Sequence, residues 1–255
     1  MVQRRRLVER MLTPLATEIS VGLGAAGVVG LAYGGYAYAS LWPSSTIFGS
    51  PLIAPERAGE IALTFDDGPN PRCTPGLLDM LGERGVKATF FMLGNRAQTE
   101  PELVRRIAAE GHLIGNHSWS HPNLARTAAT KVREELTRTS ETLEQITGEK
   151  VKYFRPPFGA RRPVVFRIAR ELGLRVVTWN AMTSDWSEPS ADRIAGKLVK
   201  KIERLGRRGR AVNIVLHDGG HLEQGIDRRP SVTAAGMLVA RYGGTHRFVK
   251  VDAWG

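Results

Sequence analysis

The sequence predicts a parallel α/β domain behind an apolar N-terminal segment, and three observations carry that prediction. From residue 59 onward, seven short apolar runs alternate with six stretches of helical periodicity. Gly85, Gly111, Gly148 and Gly173 each stand just past the last periodic residue of a helical stretch. Residues with chemistry in them gather at the C-terminal ends of the strand-like runs, where parallel barrels assemble their sites.

In chain order, residues 1–18 carry Arg4, Arg5, Arg6 and Arg10 and form a basic N-terminus. Residues 19–55 contain no charge, and 19–42 is long enough to cross a hydrocarbon core of about 30 Å as a helix. Glycine and alanine dilute its hydrophobicity, while Tyr33, Tyr36, Tyr38 and Trp42 gather toward its C-terminal end like an interfacial aromatic belt. Those four arginines all precede the span. The positive-inside rule therefore predicts a single-pass membrane anchor, with the N-terminus in the cytoplasm and the remainder outside. The rival reading is a cleaved signal peptide, since Ala37-Tyr38-Ala39 has the small-x-small form of a cleavage site and would leave a secreted protein. The long basic stretch and the length of the apolar run favour the anchor. Residues 43–58 then serve as a linker and 59–255 as the folded domain.

Strands are predicted at 61–65, 88–93, 113–115, 152–154, 175–179, 212–216 and 247–251, from apolar or alternating runs bounded by turn residues. Helices are predicted at 74–84, 101–110, 128–147, 163–172, 191–205 and 230–242. The single cysteine, Cys73, excludes an intramolecular disulfide framework and a multi-cysteine zinc site, and reads as a small loop or core residue. Net charge is +11; residues 1–55 hold +2 of it, which leaves +9 on the rest and suits an anionic envelope polymer. The densest basic run, 197–210, has Leu198, Ile202 and Leu205 at helical spacing, the pattern of an outer helix with a solvated charged face. No aromatic platform accompanies the charge, so no nucleic-acid partner is expected.

Two adjacent carboxylates, Asp66 and Asp67, end the first predicted strand before a Gly68-Pro69 turn. Successive residues on a strand point to opposite faces, so only a sharp turn brings both carboxylates to one point. Burying two unpaired carboxylates is costly, so the pair needs a cation, a hydrogen-bond network or a function. His117 and His121, four apart, place both imidazoles on one face of a helical turn and supply half of a metal site.

Thr64-Phe65-Asp66-Asp67-Gly68-Pro69, His117-Ser118-Trp119-Ser120-His121, Arg155-Pro156-Pro157-Phe158-Gly159, Asp185-Trp186 and Leu216-His217 occur in that order. With them, the chain from about Gly59 to Val251 resembles the polysaccharide deacetylases, the NodB-homology family (carbohydrate esterase family 4). The resemblance implies a distorted (β/α)7 barrel, here preceded by an N-terminal transmembrane helix. It also implies metal-dependent removal of N-acetyl groups from amino sugars of a polysaccharide such as peptidoglycan, a chitin-like polymer or poly-N-acetylglucosamine. It makes Asp67, His117 and His121 the ligands of a divalent metal; Zn2+ suits them, and Co2+, Ni2+ or Mn2+ fit the same donors. In the same resemblance Asp66 is the general base, oriented by Arg155, and His217 is the general acid, kept protonated by Asp185. Trp186 lines the substrate groove, Leu216 the pocket for the acetyl methyl, and the backbone N–H of Phe158 helps hold the oxyanion.

The chain departs from the family pattern at Met182, where an aspartate is common, and at Phe158, where tyrosine is frequent. His112, His221 and His246 match no motif and are expected on the surface or in support, while Asn116 is placed to orient a ligand. Two other readings remain: a deformylase or amidase acting on a lipid-linked sugar or small amide, and an inactive sugar-binding module. Retention of Asp66, Asp67, His117, His121, Arg155 and His217 argues against the second.

Overall fold

The computed structural model describes residues 34–255. The basic stretch 1–18 and most of the expected span 19–42 lie outside the described residues. The end of that span, 34–41, forms a helix, α1. Among the described residues no helix is long and apolar enough to cross a membrane.

Eight strands form one parallel sheet: β1 (Glu60–Gly68), β2 (Thr89–Met92), β3 (Leu113–Asn116), β4 (Tyr153–Phe154), β5 (Arg175–Val176), β6 (Ala181–Met182), β7 (Val212–His217) and β8 (Arg247–Val249). Their order is β5-β4-β3-β2-β1-β7-β6, with β8 pairing the first residues of β1. Seven helices follow α1: α2 (Thr74–Glu83), α3 (Gly94–Thr99), α4 (Pro101–Ala109), α5 (Ala129–Thr147), α6 (Pro163–Glu171), α7 (Ala191–Gly206) and α8 (Arg229–Tyr242). All six predicted helices are present, with α1 and α3 in addition, and the predicted strands are present except that the fifth is split into β5 and β6.

The period of two along β1 sorts its side chains between two environments. Ile61, Leu63 and Phe65 pack outward with Leu77, Leu78 and Leu81 of α2 in the main core. Ala62 faces the interior among Phe91, Tyr153, Val177 and Trp254. On β7 the same rule sends Val212, Ile214 and Leu216 into the main core.

The predicted strand 175–179 is not one strand. Leu52 runs beside it, donating its N–H to the Val176 carbonyl and accepting from the Thr178 N–H, so the run leaves the sheet after Val176 and rejoins it at Ala181. Buried Asn213 ties the seam together by donating from Nδ2 to the carbonyls of Ile53 and Thr178. Residues 43–58 are therefore docked on the domain rather than strung out as a linker. Arg161, fully buried, extends the docking: its guanidinium donates to the carbonyls of Gly159, Trp42 and Ser45 at 2.8, 2.7 and 3.0 Å.

Candidate active site

Strand alternation alone would send Asp66 inward and Asp67 outward. At Asp67 the backbone turns to φ +68°, and the register against β2 slips between Asp66 and Gly68. This bulge re-aims the second carboxylate, so both reach the same cavity; it is the sharp turn the sequence requires. Gly219 allows it, since a Cβ there would lie 2.1 Å from the Asp67 carbonyl oxygen. Four non-glycine residues among those described have positive φ: Asp67, His121 and Phe158 line this cavity, and Ser118 follows His117 in the loop that carries two of the site histidines. Conformations of that kind cost about 1–3 kcal/mol each and persist where the surroundings enforce them.

The segment 117–121 is a loop after β3, not the helical turn expected from the spacing. Side chains hold its shape. Asn116 Oδ1 accepts from the Ser118 N–H, and Ser118 Oγ accepts from the His121 N–H. Glu135 on α5, nearly fully buried, accepts from the N–H groups of Trp119 and Ser120 and from Ser120 Oγ, each at 2.8 Å.

Within that frame Asp67 Oδ1 lies 3.5 Å from His117 Nε2 and 3.3 Å from His121 Nε2. All three residues are buried, with their donor atoms within 4.8 Å of one another. His117 Nδ1 sits 2.7 Å from the Arg155 carbonyl, to which it donates, leaving the lone pair on Nε2 turned to the centre. Asp67 Oδ1 has no hydrogen-bond donor although it is buried. An orphaned carboxylate oxygen facing two imidazole nitrogens fits a divalent cation, with the donor set of a catalytic site. Burial pushes the Asp67 carboxyl up, but His221, His121, His217 and His117 outweigh it and hold the group well below the usual range. Burial drives His121 down to about 3, against the pull of Asp67, so this imidazole is neutral and free to ligate.

Asp66 and Arg155 form the second pair. Arg155 Nη1 donates to Asp66 Oδ1 at 2.8 Å and to Thr64 Oγ1 at 2.6 Å. Its Nη2 reaches Asn213 Oδ1 at 3.3 Å, and the guanidinium lies 4.2 Å from the Phe91 ring centroid. The other oxygen of Asp66 is 3.9 Å from His117 Nε2, beside the metal-ligand group.

His217, at the end of β7, and Asp185 form the third. Asp185 Oδ1 is 3.0 Å from His217 Nδ1, and Oδ2 accepts from the His217 N–H and from Ser231 Oγ, both at 2.8 Å. Burial alone would lower the histidine; the charge and hydrogen bond of Asp185 overcome it and raise His217 to about 9. Ser231 and the His217 main chain hold Asp185, and Met182, at the position where the family pattern commonly has an aspartate, lines the cavity.

The cavity holding these groups measures about 490 Å³. Phe158 and Trp186, half exposed, stand on its walls, with Trp186 edge-on to His217 at 5.5 Å between centroids. Leu216 does not line it: Leu216 is fully buried in the outer core, and its neighbour Val215 faces the cavity. The one-residue offset follows from strand alternation.

His221 is a second correction. Read as a supporting or surface residue, it lies in the site, with Nδ1 3.6 Å from Asp67 Oδ2 and its ring stacked on His121 at 4.2 Å. Two glycines before it in an irregular loop gave no periodicity from which its direction could be read. His112 is also misplaced by sequence reasoning, because it is buried against Phe90, accepts from the Ala88 N–H, and is lowered to about 4 by burial. His246 stays away from the cavity, beside Tyr242. Cys73 is the small buried residue expected, accepting from the Arg228 N–H.

The comparisons with known proteins agree with this geometry. A family model described as polysaccharide deacetylase matches residues 54–177. The chain is 41% identical over 175 residues to a peptidoglycan-N-acetylglucosamine deacetylase of Bacillus cereus, covering 68% of this chain and 62% of that one. It is 38% identical over 160 residues to a chitooligosaccharide deacetylase of a Bradyrhizobium species, covering 62% of this chain and 70% of that one. A crystal structure of a peptidoglycan N-acetylglucosamine deacetylase superposes with TM-score 0.69 at 36% identity, over 79% of this chain and 90% of that one. By its site, its sequence and its fold, the chain belongs to the polysaccharide deacetylase family.

Proposed function

We propose that the protein is a metal-dependent deacetylase that hydrolyses N-acetyl groups of amino sugars in peptidoglycan or a chitin-like polymer. One observation carries this reading: three polar pairings with distinct tasks converge on a single cavity. Asp67, His117 and His121 would hold the ion; Asp66 with Arg155 forms a base; His217 with Asp185 forms an acid. When bound there, a divalent ion polarises the amide carbonyl and acidifies the attacking water.

The chain's own groups account for the rest. Arg155 occupies Asp66 Oδ1, which leaves Oδ2 to take the proton of the attacking water. Asp185 occupies His217 Nδ1, which leaves Nε2 to deliver a proton to the departing amine. A His217 raised to about 9 is charged at neutral pH, as an acid must be. Val215 is placed for the acetyl methyl, and Phe158 and Trp186 for the sugar faces. The same machinery serves a deformylase or small-amide hydrolase. Two half-exposed aromatic rings on the cavity wall, Phe158 and Trp186, favour a sugar polymer.

Acetate and formate release from peptidoglycan, chitin oligomers and lipid-linked sugars tests the reading, with and without chelator. Expected is acetate from one of the polymers, abolished by chelation and restored by zinc or cobalt. Asp67→Ala should lose ion and activity together, whereas Asp66→Asn should keep the ion and lose at least ~10²-fold in rate. Activity that survives exhaustive chelation overturns the mechanism.

The location belongs to the same proposal: a single-pass membrane protein with its N-terminus in the cytoplasm and the sheet domain outside. Its support is the uncharged stretch 19–55 behind four arginines, together with the exposed Tyr36, Tyr38, Leu41 and Trp42 at the end of α1 and just after it. An alkaline phosphatase fusion at the C-terminus should be active in a bacterial host, and an inactive fusion would overturn the placement.

A further inference from the structure

The basic run 197–210 is not used by the chemistry above, and the structure places part of it next to the cavity. On α7, Lys200 and Lys201 stand three and four residues after Lys197, and Arg204 four and three after them, which puts the four on one helix face. That face forms one wall of a surface depression of about 430 Å³, whose other wall is Met182, Thr183 and Ser184. Met182 lines both this depression and the active-site cavity, so the two adjoin.

The charges there are largely unspent. Lys197 pairs with Glu188 at 3.3 Å, but among the described residues Lys200, Lys201 and Arg204 have no carboxylate within ion-pair distance. The neighbouring Glu203 is turned to Arg241 instead. A second observation is independent of charge. Thr183 is only 7% exposed, lies against the depression, and its hydroxyl has no hydrogen-bond partner. A buried hydroxyl without a partner is uncommon in a folded protein and marks a place where something polar is received.

We propose that this depression, which shares Met182 with the active-site cavity, is a subsite for a carboxylate carried by the polymer being deacetylated. Lys200, Lys201 and Arg204 would supply the field and charged donors, and Thr183 Oγ1, shielded from solvent in this structure, would donate after rotating about its Cα–Cβ bond. The inference rests on the deacetylase reading and sharpens it. An acetylated glycan bearing carboxylates, as the lactyl ethers of peptide-free peptidoglycan strands do, is preferred over a neutral chitin oligomer. Met182 is the apolar floor between the two recesses, where an aspartate would repel such a group.

The test uses the full metal-loaded chain and two probes: peptide-free peptidoglycan glycan strands and N-acetylated chitooligosaccharide. The quantity read is the ratio of kcat/KM on the charged strand to that on the neutral oligomer. K200E/R204E should lower this ratio at least tenfold at low salt, and raising salt to about 0.5 M should shrink the wild-type ratio, since the Debye length then falls well below 10 Å. T183V should lower it further without altering its salt dependence. K150E/K152E, a matched charge reversal beside the start of β4, should leave it within twofold. A ratio unmoved by K200E/R204E overturns the subsite, and so does an equal fall in the remote pair, which would assign the effect to the molecule's overall field. A wild-type enzyme inert on both probes overturns the deacetylase reading and the subsite with it.

Discussion

The proton on His217 is held there by one neighbour, and its removal has a direction that can be measured. With the histidine raised to about 9 by Asp185, the alkaline limb of the pH–rate profile should fall near that pH. Asp185→Asn should move the limb to lower pH, because the imidazolium loses the charge that outweighs its burial. The same pair links folding to pH. A histidine whose folded value is raised from about 6.5 contributes stability that is complete below that pH and is lost as pH climbs through about 9. Thermal midpoints of wild type and variant should therefore differ most below pH 6.5 and converge above pH 9. Equal midpoint differences at all pH values would remove Asp185 from this role. At this scale the sequence was informative for most motif residues: Asp66, Asp67, His117, His121 and His217 line one cavity, and Arg155 and Asp185 are hydrogen-bonded to Asp66 and His217. It was silent on Ser231, which supports Asp185 from the start of a helix, and on His221, whose direction depends on an irregular loop. Leu216 was misassigned by one position, because adjacent strand residues face opposite ways.

Among the elements, α5 does more than cover the sheet. Its Glu135 carboxylate is the fixed point to which the loop between His117 and His121 is tied. Glu135→Ala strands two main-chain N–H groups in a partly buried loop, and should cost about 1–3 kcal/mol in chemical denaturation. It should also weaken metal binding by roughly 10–100-fold, the usual consequence of removing a group that orients ligands. Glu135→Gln keeps one acceptor and should recover part of both. Unchanged metal affinity in the alanine variant would separate the loop's shape from the ion. Helices and most strands could be read from periodicity alone, down to Gly148 closing α5 in a left-handed conformation. The elements that escaped have no such signal. The six residues of α3 are too few to show a period, and the break between β5 and β6 comes from Leu52, more than a hundred residues earlier in the chain. The loop 117–121 imitates helical spacing while its positive-φ residues exclude a helix.

For the molecule as a whole, the parallel architecture followed from the alternation of its elements, whereas the docking of residues 43–58 did not. A stretch rich in proline and serine reads as a tether until its distant partners are known, and here these are Arg161, Asn213 and Val176. Arg161→Met should leave the carbonyls of Gly159, Trp42, Pro43 and Ser45 without their charged donor and lower stability by at least about 2 kcal/mol. It should also open 43–58 to limited proteolysis, while the variant's sheet domain stays resistant. Cleavage no faster than in wild type would show that Leu52 and Asn213 suffice. Sixteen residues paid out freely could span up to about 50 Å, at ~3.3 Å apiece. Docked beside the Pro157–Gly159 turn, they give the cavity no slack. Residues 43–58 thus hold α1 against the domain as a docked segment rather than a leash. If the proposed anchor lies in a membrane, the cavity would be held at one height above it, and the proposed polymer would have to come to the cavity.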